Sequence, residues 1–199
     1  MKRHEIKCFY NKSMYHNMIL KNNFKKQYND RTVNSIYFDS LDYKDYHESV
    51  DGTVPRKKIR LRWYDKDFSF NSKNYVEIKK TLENFKDKLV NTLPEDIDNL
   101  SKLKKYFNSI YDYKKIANYL VSYRRSYFSD NLGNRITIDK SIKYFKLNNN
   151  LRIIGKYYSK KNILELKVDS NFDYSRITNY YTGNIVRYSK YCNAVYKFI

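Results

Sequence analysis

The segment PRKKIRLRWYD, residues 55–65, most constrains the fold because cationic and apolar side chains alternate along it. One set of alternate positions is Arg56, Lys58, Arg60 and Arg62, and the set between them is largely apolar. Successive side chains of a β-strand point to opposite faces of the sheet. The segment therefore predicts a strand with one cationic face and one apolar face.

The same alternation recurs along the chain. Further strands are predicted over residues 3–9, 32–40, 73–81, 121–129, 134–141 and 162–169. In the last of these, Glu165 and Lys167 alternate with Leu164 and Leu166. Apart from the more apolar segment 32–40, these segments indicate strands that are ionic on one face and apolar on the other.

Helical periodicity is confined to two regions. Residues 12–26 predict a helix that Ser13 could cap, and residues 96–116 predict a stronger one, since apolar residues recur there at helical spacing. We interpret residues 82–118 as a helical insertion within a single domain that spans residues 1–199. Turns are predicted at residues 51–52, 131–134, 148–150 and 183–184.

Net charge narrows the class of partner. The chain has 40 Lys and Arg residues against 21 Asp and Glu residues, a formal net charge of +19. Such an excess indicates a polyanionic partner: a nucleic acid, an acidic membrane surface or a phosphate compound. The chain is also rich in Lys, Asn, Ile and Tyr, and this compositional bias inflates lysine without placing arginine in columns.

Cysteine usage and hydropathy restrict the setting. Cys8 and Cys192 lie far apart, without the spacing of a zinc site or of a disulfide framework. No apolar run is long enough for a signal peptide or a transmembrane helix. We therefore expect a cytoplasmic protein with no transmembrane segment, whose association with a membrane would need a partner.

The ionic faces admit two architectures. An open antiparallel sheet with one wet face produces the same alternation. Closure of the sheet would instead turn long cations from many strands inward, where they repel one another by roughly 1 kcal/mol or more per pair unless a polyanion binds. We therefore expect an α+β fold: a closed antiparallel β-barrel of about eight strands with helices packed outside.

The ordered segments HEIK, VNSIYFDS, KKIRLRWY, YVEIKKT, YRRSYF, RITID, ILELK and RYSKY resemble a known family. They are similar to the VTC domain, the polyphosphate polymerase branch of the triphosphate tunnel metalloenzymes (the CYTH-like superfamily), over nearly the whole chain. The resemblance implies an eight-stranded antiparallel tunnel that binds the triphosphate of ATP along rows of Arg and Lys. It also implies a divalent metal ion, Mn²⁺ or Mg²⁺, held by glutamate.

The resemblance also implies roles for individual residues. The catalytic cations would be Arg60, Arg62, Lys79, Arg125, Arg135 and Lys190. The substrate-binding residues would be Lys7 and Ser189, with Tyr123 against the adenine base or in ordinary packing. Arg56, Lys58, Lys88 and Arg187 would be further phosphate contacts or solvated cations. Glu165 would hold the metal, assisted by Glu5.

One departure bears on the activity. The wider superfamily opens with Glu-x-Glu-x-Lys, whereas only Glu5 precedes Lys7 in this chain. Two-metal phosphate hydrolysis requires more carboxylates than this. The resemblance therefore favours a polyphosphate polymerase that moves the γ-phosphoryl group of ATP onto polyphosphate and releases ADP.

Three alternatives stay open. The chain could bind polyphosphate or a nucleotide without turnover, or act as a metal-dependent tripolyphosphatase. Its charge and aromatic residues also fit a nucleic-acid binder, but no RNP, KH, zinc-finger or helix-turn-helix signature is present. We therefore expect ATP, polyphosphate or other phosphate-rich small anions as ligands, rather than nucleic acid.

Overall fold

The computed structural model describes residues 3–65, 67–70, 73–83, 86–110, 115–169 and 184–199. The strands are β1 (Arg3–Tyr10), β2 (Lys25–Asp39), β3 (Arg56–Tyr64), β4 (Tyr75–Thr81), β5 (Lys86–Thr92), β6 (Ile116–Ser129), β7 (Arg135–Leu147), β8 (Ile153–Tyr158) and β9 (Asn162–Asp169). The α-helices are α1 (Lys12–Met14), α2 (Lys44–Asp51), α3 (Leu100–Ser109) and α4 (Lys190–Tyr196), and α1 continues as a π-helix over Tyr15–Leu20.

The strands form an antiparallel sheet, which confirms the predicted α+β class. Their hydrogen-bonded order is β1-β9-β7-β6-β2-β3-β4-β5, and β8 pairs with β7. This order ends at β1 and at β5, and hydrogen bonds between described strands do not join the two ends. The predicted closure of the sheet into a barrel is therefore not confirmed.

The chain divides into two compact units. The first unit comprises Met1–Thr32, Tyr123–Ile142 and Tyr158–Tyr188, and the second comprises Val33–Ser122, Lys143–Tyr157 and Ser189–Ile199. Each unit has its own hydrophobic cluster. The single domain over residues 1–199 stays a prediction.

The core of the second unit lies between α3 and the apolar faces of the strands. Leu103 and Phe107 of α3 are buried, and the ring of Phe107 stacks on Phe38 of β2 with centroids 3.8 Å apart. Burying side chains of this size contributes roughly 1.5–3 kcal/mol each. Asn99 caps α3, because its side chain accepts a hydrogen bond from the Lys102 backbone N–H at 3.0 Å. This packing leaves the opposite face of β3 and β4 to the charged side chains.

The core of the first unit follows the same plan. Ile6 and Cys8 of β1 are buried with Leu164 of β9, and Met14 and Met18 from α1 and the π-helix cover them. The strand register pairs Lys7 with Glu165, between these apolar positions. The ionic side chains of β1 and β9 consequently share one face of the sheet.

Two predicted helical regions are shorter than the sequence pattern indicates. The helix predicted over residues 12–26 ends at Leu20, and its cap is Asn11, which accepts from the Met14 backbone N–H at 3.1 Å, rather than Ser13. Within the predicted helical insertion at 82–118, only α3 is an α-helix among the described residues. The segment before it forms β5, because β4 offers an edge with which it pairs over seven residues.

The sequence patterns also missed elements. Strand β8 and helices α2 and α4 were not predicted. Helix α2 begins after Tyr43 at φ 56°, and its first N–H groups are capped by Asp39: the carboxylate accepts from Asp45 at 2.9 Å and from Tyr46 at 3.0 Å. Because this cap lies several residues before the helix, a local capping pattern does not detect it. The predicted turn at residues 183–184 falls partly outside the described residues.

Candidate functional site

One face of the sheet in the second unit carries a group of cations, which we call the cationic strand face: Lys58, Arg60, Arg62, Lys79 and Lys88. The register pairs Lys58 with Lys79, and Lys79 with Lys88. Directly opposed residues of antiparallel strands project from the same side. The residues between them, Ile59 and Leu61, are buried in the core. The predicted strand with one cationic and one apolar face is therefore confirmed.

Glu77 of β4 organises this face. One of its carboxylate oxygens accepts from the Arg60 Nε atom at 2.7 Å, and the other lies 3.3 Å from Arg62 Nη1 and 3.1 Å from Lys88 Nζ. Its side chain is only 5 % exposed. Three cations around one carboxylate give this group a net positive charge. Arg60 donates through both Nε and Nη2 to one oxygen of Glu77, and these charge-assisted hydrogen bonds fix its guanidinium group in place before any anion binds.

Electrostatics keep Glu77 ionised. Burial alone would raise the pKa of this carboxyl, but Arg60, Arg62 and Lys88 prevail and lower it from 4.5 to about 2. A carboxylate with this pKa stays negative at any physiological pH. The central anion of the cationic strand face is thus permanent.

The lowered pKa of Glu77 predicts how the free energy of unfolding depends on pH under acidic conditions. The pKa of Glu77 is lower in the folded protein than in the unfolded chain, so its ionised form stabilises the fold at pH values above about 4.5. This stabilisation is lost as the pH falls from about 4.5 to about 2. The full contribution is roughly 3 kcal/mol. We expect Glu77→Gln to lower the free energy of unfolding at pH 7 and to weaken its dependence on pH in this range. Urea unfolding between pH 7 and pH 3 measures this, with the exposed Glu95→Gln as control. An equal pH dependence in both variants would contradict it.

Strand β2, which neighbours β3 on the side away from β4, also contacts Arg60 and Arg62. The Arg60 Nη1 group donates to the Tyr37 hydroxyl at 3.1 Å, and the Arg62 Nε group donates to the Ser35 hydroxyl at 3.3 Å. Burial would raise the pKa of Tyr37, but Arg60 and Arg62, with Lys190, lower it. The sequence patterns did not assign Tyr37 and Ser35 to the site, because segment 32–40 is more apolar than the other predicted strands and shows no ionic face.

The predicted pair Ser189 and Lys190 lies at the start of α4. Ser189 caps this helix: its hydroxyl accepts from the Cys192 backbone N–H at 3.3 Å and from the Lys58 Nζ group at 3.1 Å. Lys190 is the first residue of the helix. The structure thus brings Ser189 to the cationic strand face, from an element that strand alternation does not describe.

A buried ionic cluster holds α4 in place. The Tyr191 hydroxyl donates to the Asp39 carboxylate, and Lys115 Nζ lies 2.5 Å from the Asp45 carboxylate and 3.8 Å from that of Asp39. Burial and then Asp39 raise the pKa of Tyr191, so its hydroxyl keeps the proton that it donates. Because Tyr191 follows Lys190 directly, this cluster positions the start of the helix.

The first unit carries the predicted metal ligands. Lys7 Nζ lies 2.7 Å from one carboxylate oxygen of Glu5 and 3.6 Å from one of Glu165. Lys167 Nζ lies 3.0 Å from the other oxygen of Glu165. The two carboxylates therefore converge on the same ammonium group. Lys7 also donates to the Tyr188 carbonyl at 3.1 Å.

This donor set fits one hard cation. Mg²⁺ and related ions bind through one or two carboxylates, and substrate phosphates and water complete the coordination. Glu5 and Glu165 provide such a pair. A cluster of three or more His, Cys, Asp or Glu residues that could hold an ion is absent from the described part of the chain. Among the described residues, Glu5 and Glu165 fit a single ion whose coordination a phosphate ligand completes.

Arg125 and Tyr123 are less accessible than their predicted roles suggest. Arg125 donates to both oxygens of the Asp139 carboxylate, at 2.6 Å and 2.8 Å, and its guanidinium lies 5.1 Å from the centroid of the Tyr123 ring. Burial would lower the pKa of Arg125, but Asp139 above all raises it. Tyr123 is 2 % exposed, which favours packing over stacking with a base.

Arg56 alternates onto the same face of β3 as Lys58, but its guanidinium binds the loop before the strand. Arg56 Nη1 donates to the carbonyls of Gly52 and Thr53, at 3.1 Å and 2.8 Å, and so ties down the loop before β3. Arg135 and Arg187 are exposed, and the register pairs Arg135 with Lys167. The alternation had marked Glu77 as an acid within a cationic face, but no sequence signal identified Asp139 as the partner of Arg125.

Comparison with known proteins points to one family. The family model of the VTC domain matches residues 2–199. Curated protein sequences yield no match. A helix long and apolar enough to cross a membrane is not found in the described residues.

Solved structures share the fold at low identity. The PH1819 protein from Pyrococcus horikoshii OT3 is 10% identical and superposes with a TM-score of 0.59, covering 98% of this chain and 99% of that chain. A candidate adenylate cyclase from Vibrio parahaemolyticus is 12% identical with a TM-score of 0.51, covering 90% of this chain and 82% of that chain. At such identities the similarity concerns the fold alone.

Proposed function

Because this chain belongs to the VTC domain family, we propose that it is a phosphotransferase that moves the γ-phosphoryl group of ATP onto polyphosphate. The observation that supports this is the cationic strand face, where Arg60, Arg62 and Lys88 lie around the Glu77 carboxylate and Lys58 and Lys79 share the same face of the sheet. Several cations on one face match a ligand that carries many negative charges, such as a string of phosphates, better than a ligand that carries one. The proposal includes the enclosed tunnel that the family resemblance implies, since a tunnel would keep a growing chain threaded.

Binding would rest on the fixed arginines. Arg60 and Arg62 present planar guanidinium groups that suit pairs of phosphate oxygens, while Lys58, Lys79 and Lys88 add point charges. Glu77 holds the arginines apart and oriented, so little reorganisation accompanies binding. The wider set in this proposal adds the catalytic Arg125, Arg135 and Lys190 and the substrate-binding Lys7 and Ser189.

The reaction needs alignment and charge neutralisation more than covalent chemistry. A terminal oxygen of polyphosphate would attack the γ-phosphorus of ATP, and the bond from that phosphorus to the bridging oxygen would break to release ADP. The arginines would neutralise charge on the transferred group as it forms. Glu165 and Glu5 would hold a divalent cation, Mn²⁺ or Mg²⁺, which when bound supplies further positive charge to phosphate oxygens.

Neighbouring lysines of β4 provide a matched test of the face. Lys79 belongs to the cationic strand face, whereas Lys80 is exposed and alternates with it. We expect Lys79→Ala to lower kcat/KM for ATP by about 10–100-fold, since it removes a phosphate contact. Lys80→Ala removes the same charge and should change kcat/KM by less than about threefold, because exposed charges contribute little. The assay follows ADP release and, on gels, polyphosphate with ATP and Mn²⁺, and omission of the metal should abolish both. Equal losses in the two variants would contradict the assignment.

A phosphate-binding module without turnover is the second candidate function. The observation that favours it is that Glu5 and Glu165 already pair with Lys7. Tight binding of ATP or polyphosphate, without ADP release under any divalent metal, would select it. A product of ADP and free phosphate alone would instead indicate a hydrolase.

A further inference from the structure

The hydroxyl group of Tyr37 lies on the cationic strand face and has no part in the phosphate binding described so far. Tyr37 of β2 is directly opposite Arg60 of β3 in the strand register, so the two side chains share this face of the sheet. The Arg60 Nη1 group donates to the Tyr37 hydroxyl at 3.1 Å. The Tyr37 oxygen therefore lies beside a cation to which the proposed function assigns a phosphate.

The Tyr37 hydroxyl retains an unused donor. A tyrosine hydroxyl accepts hydrogen bonds through its oxygen and donates one through its own proton. The hydrogen bond from Arg60 uses the oxygen, and the described residues of the chain provide no acceptor for the proton. Tyr37 is only 6% exposed, and polar groups buried to this extent seldom lack a partner. An acceptor from a bound ligand would complete the hydrogen bonding of this group.

Positive charge lies around this hydroxyl. Burial would raise the pKa of Tyr37, yet Arg60 and Arg62, with Lys190, lower it. Cations that stabilise the ionised form of a hydroxyl also attract an anion to the same place. The Arg60 side chain is 24% exposed, so an anion can approach its guanidinium group from solvent. We therefore expect an anionic acceptor beside the Tyr37 hydroxyl.

Packing within the second unit fixes the direction of the Tyr37 side chain. Its ring stacks on that of Tyr191 of α4, with centroids 5.2 Å apart and planes inclined by 24°. Tyr191 is 2% exposed, and its hydroxyl donates to the Asp39 carboxylate. The Tyr37 oxygen is thus held in place before a ligand binds, and only its proton has to turn toward an acceptor. Such pre-organisation lowers the entropic cost of binding.

We propose that the Tyr37 hydroxyl donates a hydrogen bond to a phosphate oxygen of the ligand that Arg60 binds, and that Tyr191 positions it for this contact. This role rests on the proposed function only in that the cationic strand face binds phosphate, and it requires no turnover. The hydrogen bond accepted from Arg60 polarises the hydroxyl and strengthens it as a donor. Because tyrosine is neutral, it adds this contact without adding charge to a face where the cations repel one another.

A purely structural role for the hydroxyl is the alternative. In that role Tyr37 acts only through Arg60, whose guanidinium group it holds together with Glu77. The effect of removing the hydroxyl would then disappear once the guanidinium group is absent. A direct contact with phosphate would persist without Arg60, so a double-mutant cycle distinguishes the two roles.

Isothermal titration calorimetry of the full chain with inorganic tripolyphosphate tests the proposal. Tyr37→Phe removes the hydroxyl but keeps the ring that stacks on Tyr191, and we expect it to raise the Kd about 10-fold or more, because hydrogen bonds to charged groups are strong. The same substitution in an Arg60→Met background should raise the Kd by a similar factor. The control is Tyr106→Phe, which removes a hydroxyl from α3 on the opposite side of the sheet and should change the Kd by less than about twofold. Circular dichroism identifies the folded variants, and Arg60→Ala provides the background if Arg60→Met is unfolded.

The outcomes distinguish this role from the proposed phosphotransfer. A loss of affinity in Tyr37→Phe that persists without the Arg60 guanidinium group supports donation to phosphate, even if the wild-type protein releases no ADP, which would contradict phosphotransfer alone. An unchanged Kd in the folded Tyr37→Phe protein overturns the role, as does an equal loss in Tyr106→Phe. A loss that occurs only when Arg60 is present assigns the hydroxyl to structure instead. Failure of the wild-type protein to bind tripolyphosphate would overturn both this role and the cationic strand face as a phosphate site.

Discussion

Arg62→Ala is expected to lower kcat/KM for ATP by at least about 10³-fold, the largest loss among the proposed site residues. The Arg62 side chain is 7% exposed, and its donors meet Ser35 and Glu77. Its guanidinium is therefore held in one orientation and desolvated, where its charge acts on phosphate more strongly than an exposed charge would. The variant removes the cation and leaves the buried Glu77 carboxylate with fewer partners.

Two further variants separate catalysis from folding. Arg62→Lys keeps the charge but loses the planar fork, so we expect a loss between those of the wild-type and alanine proteins. Arg124→Ala removes an arginine whose side chain is 64% exposed and should leave kcat/KM unchanged. Thermal unfolding by circular dichroism identifies variants that are folded at the assay temperature. Near wild-type activity of a folded Arg62→Ala protein would remove the cationic strand face from the mechanism.

The alternation in the sequence predicted the charged faces correctly because its period is that of a strand. Lys58, Arg60 and Arg62 share a face in the structure, as the two-residue period requires. The same reasoning placed Glu5, Lys7 and Glu165 on ionic faces, and the register of β1 and β9 brings them together. Local periodicity was sufficient for these residues because the apolar side chains that alternate with them are buried in the core, and the charged side chains must then lie on the opposite face.

Long-range partners could not be predicted in this way. Asp139 binds Arg125 from 14 positions along the chain, and Asp39 caps α2 and accepts from Tyr191 across 152 positions. Strand β5 has polar and apolar residues without clear alternation, so its structure depends on pairing with β4. Such elements are fixed by tertiary contacts, which override local propensity.

Lys115→Met is expected to lower the free energy of unfolding by about 3–5 kcal/mol, the largest effect on stability. The Lys115 side chain is fully buried, and its ammonium is the cation between the carboxylates of Asp45 and Asp39. Methionine occupies a similar volume but carries no charge, so two buried carboxylates would lose their shared cation. Urea unfolding measures the loss, and Lys104→Met on the exposed side of α3 is the control. A loss no larger than that of the control would mean that the cluster contributes little.

A second substitution tests whether charge or packing causes this loss. Asp45→Asn in the Lys115→Met background removes one of the two carboxylate charges, and we expect it to restore part of the free energy of unfolding. If the loss instead arose from packing, the second substitution would add to it. Because Asp39 also accepts from Tyr191 at the start of α4, relaxation of this cluster should displace Ser189 and Lys190 as well. A folded Lys115→Met protein should then bind phosphate more weakly, although Lys115 itself is buried.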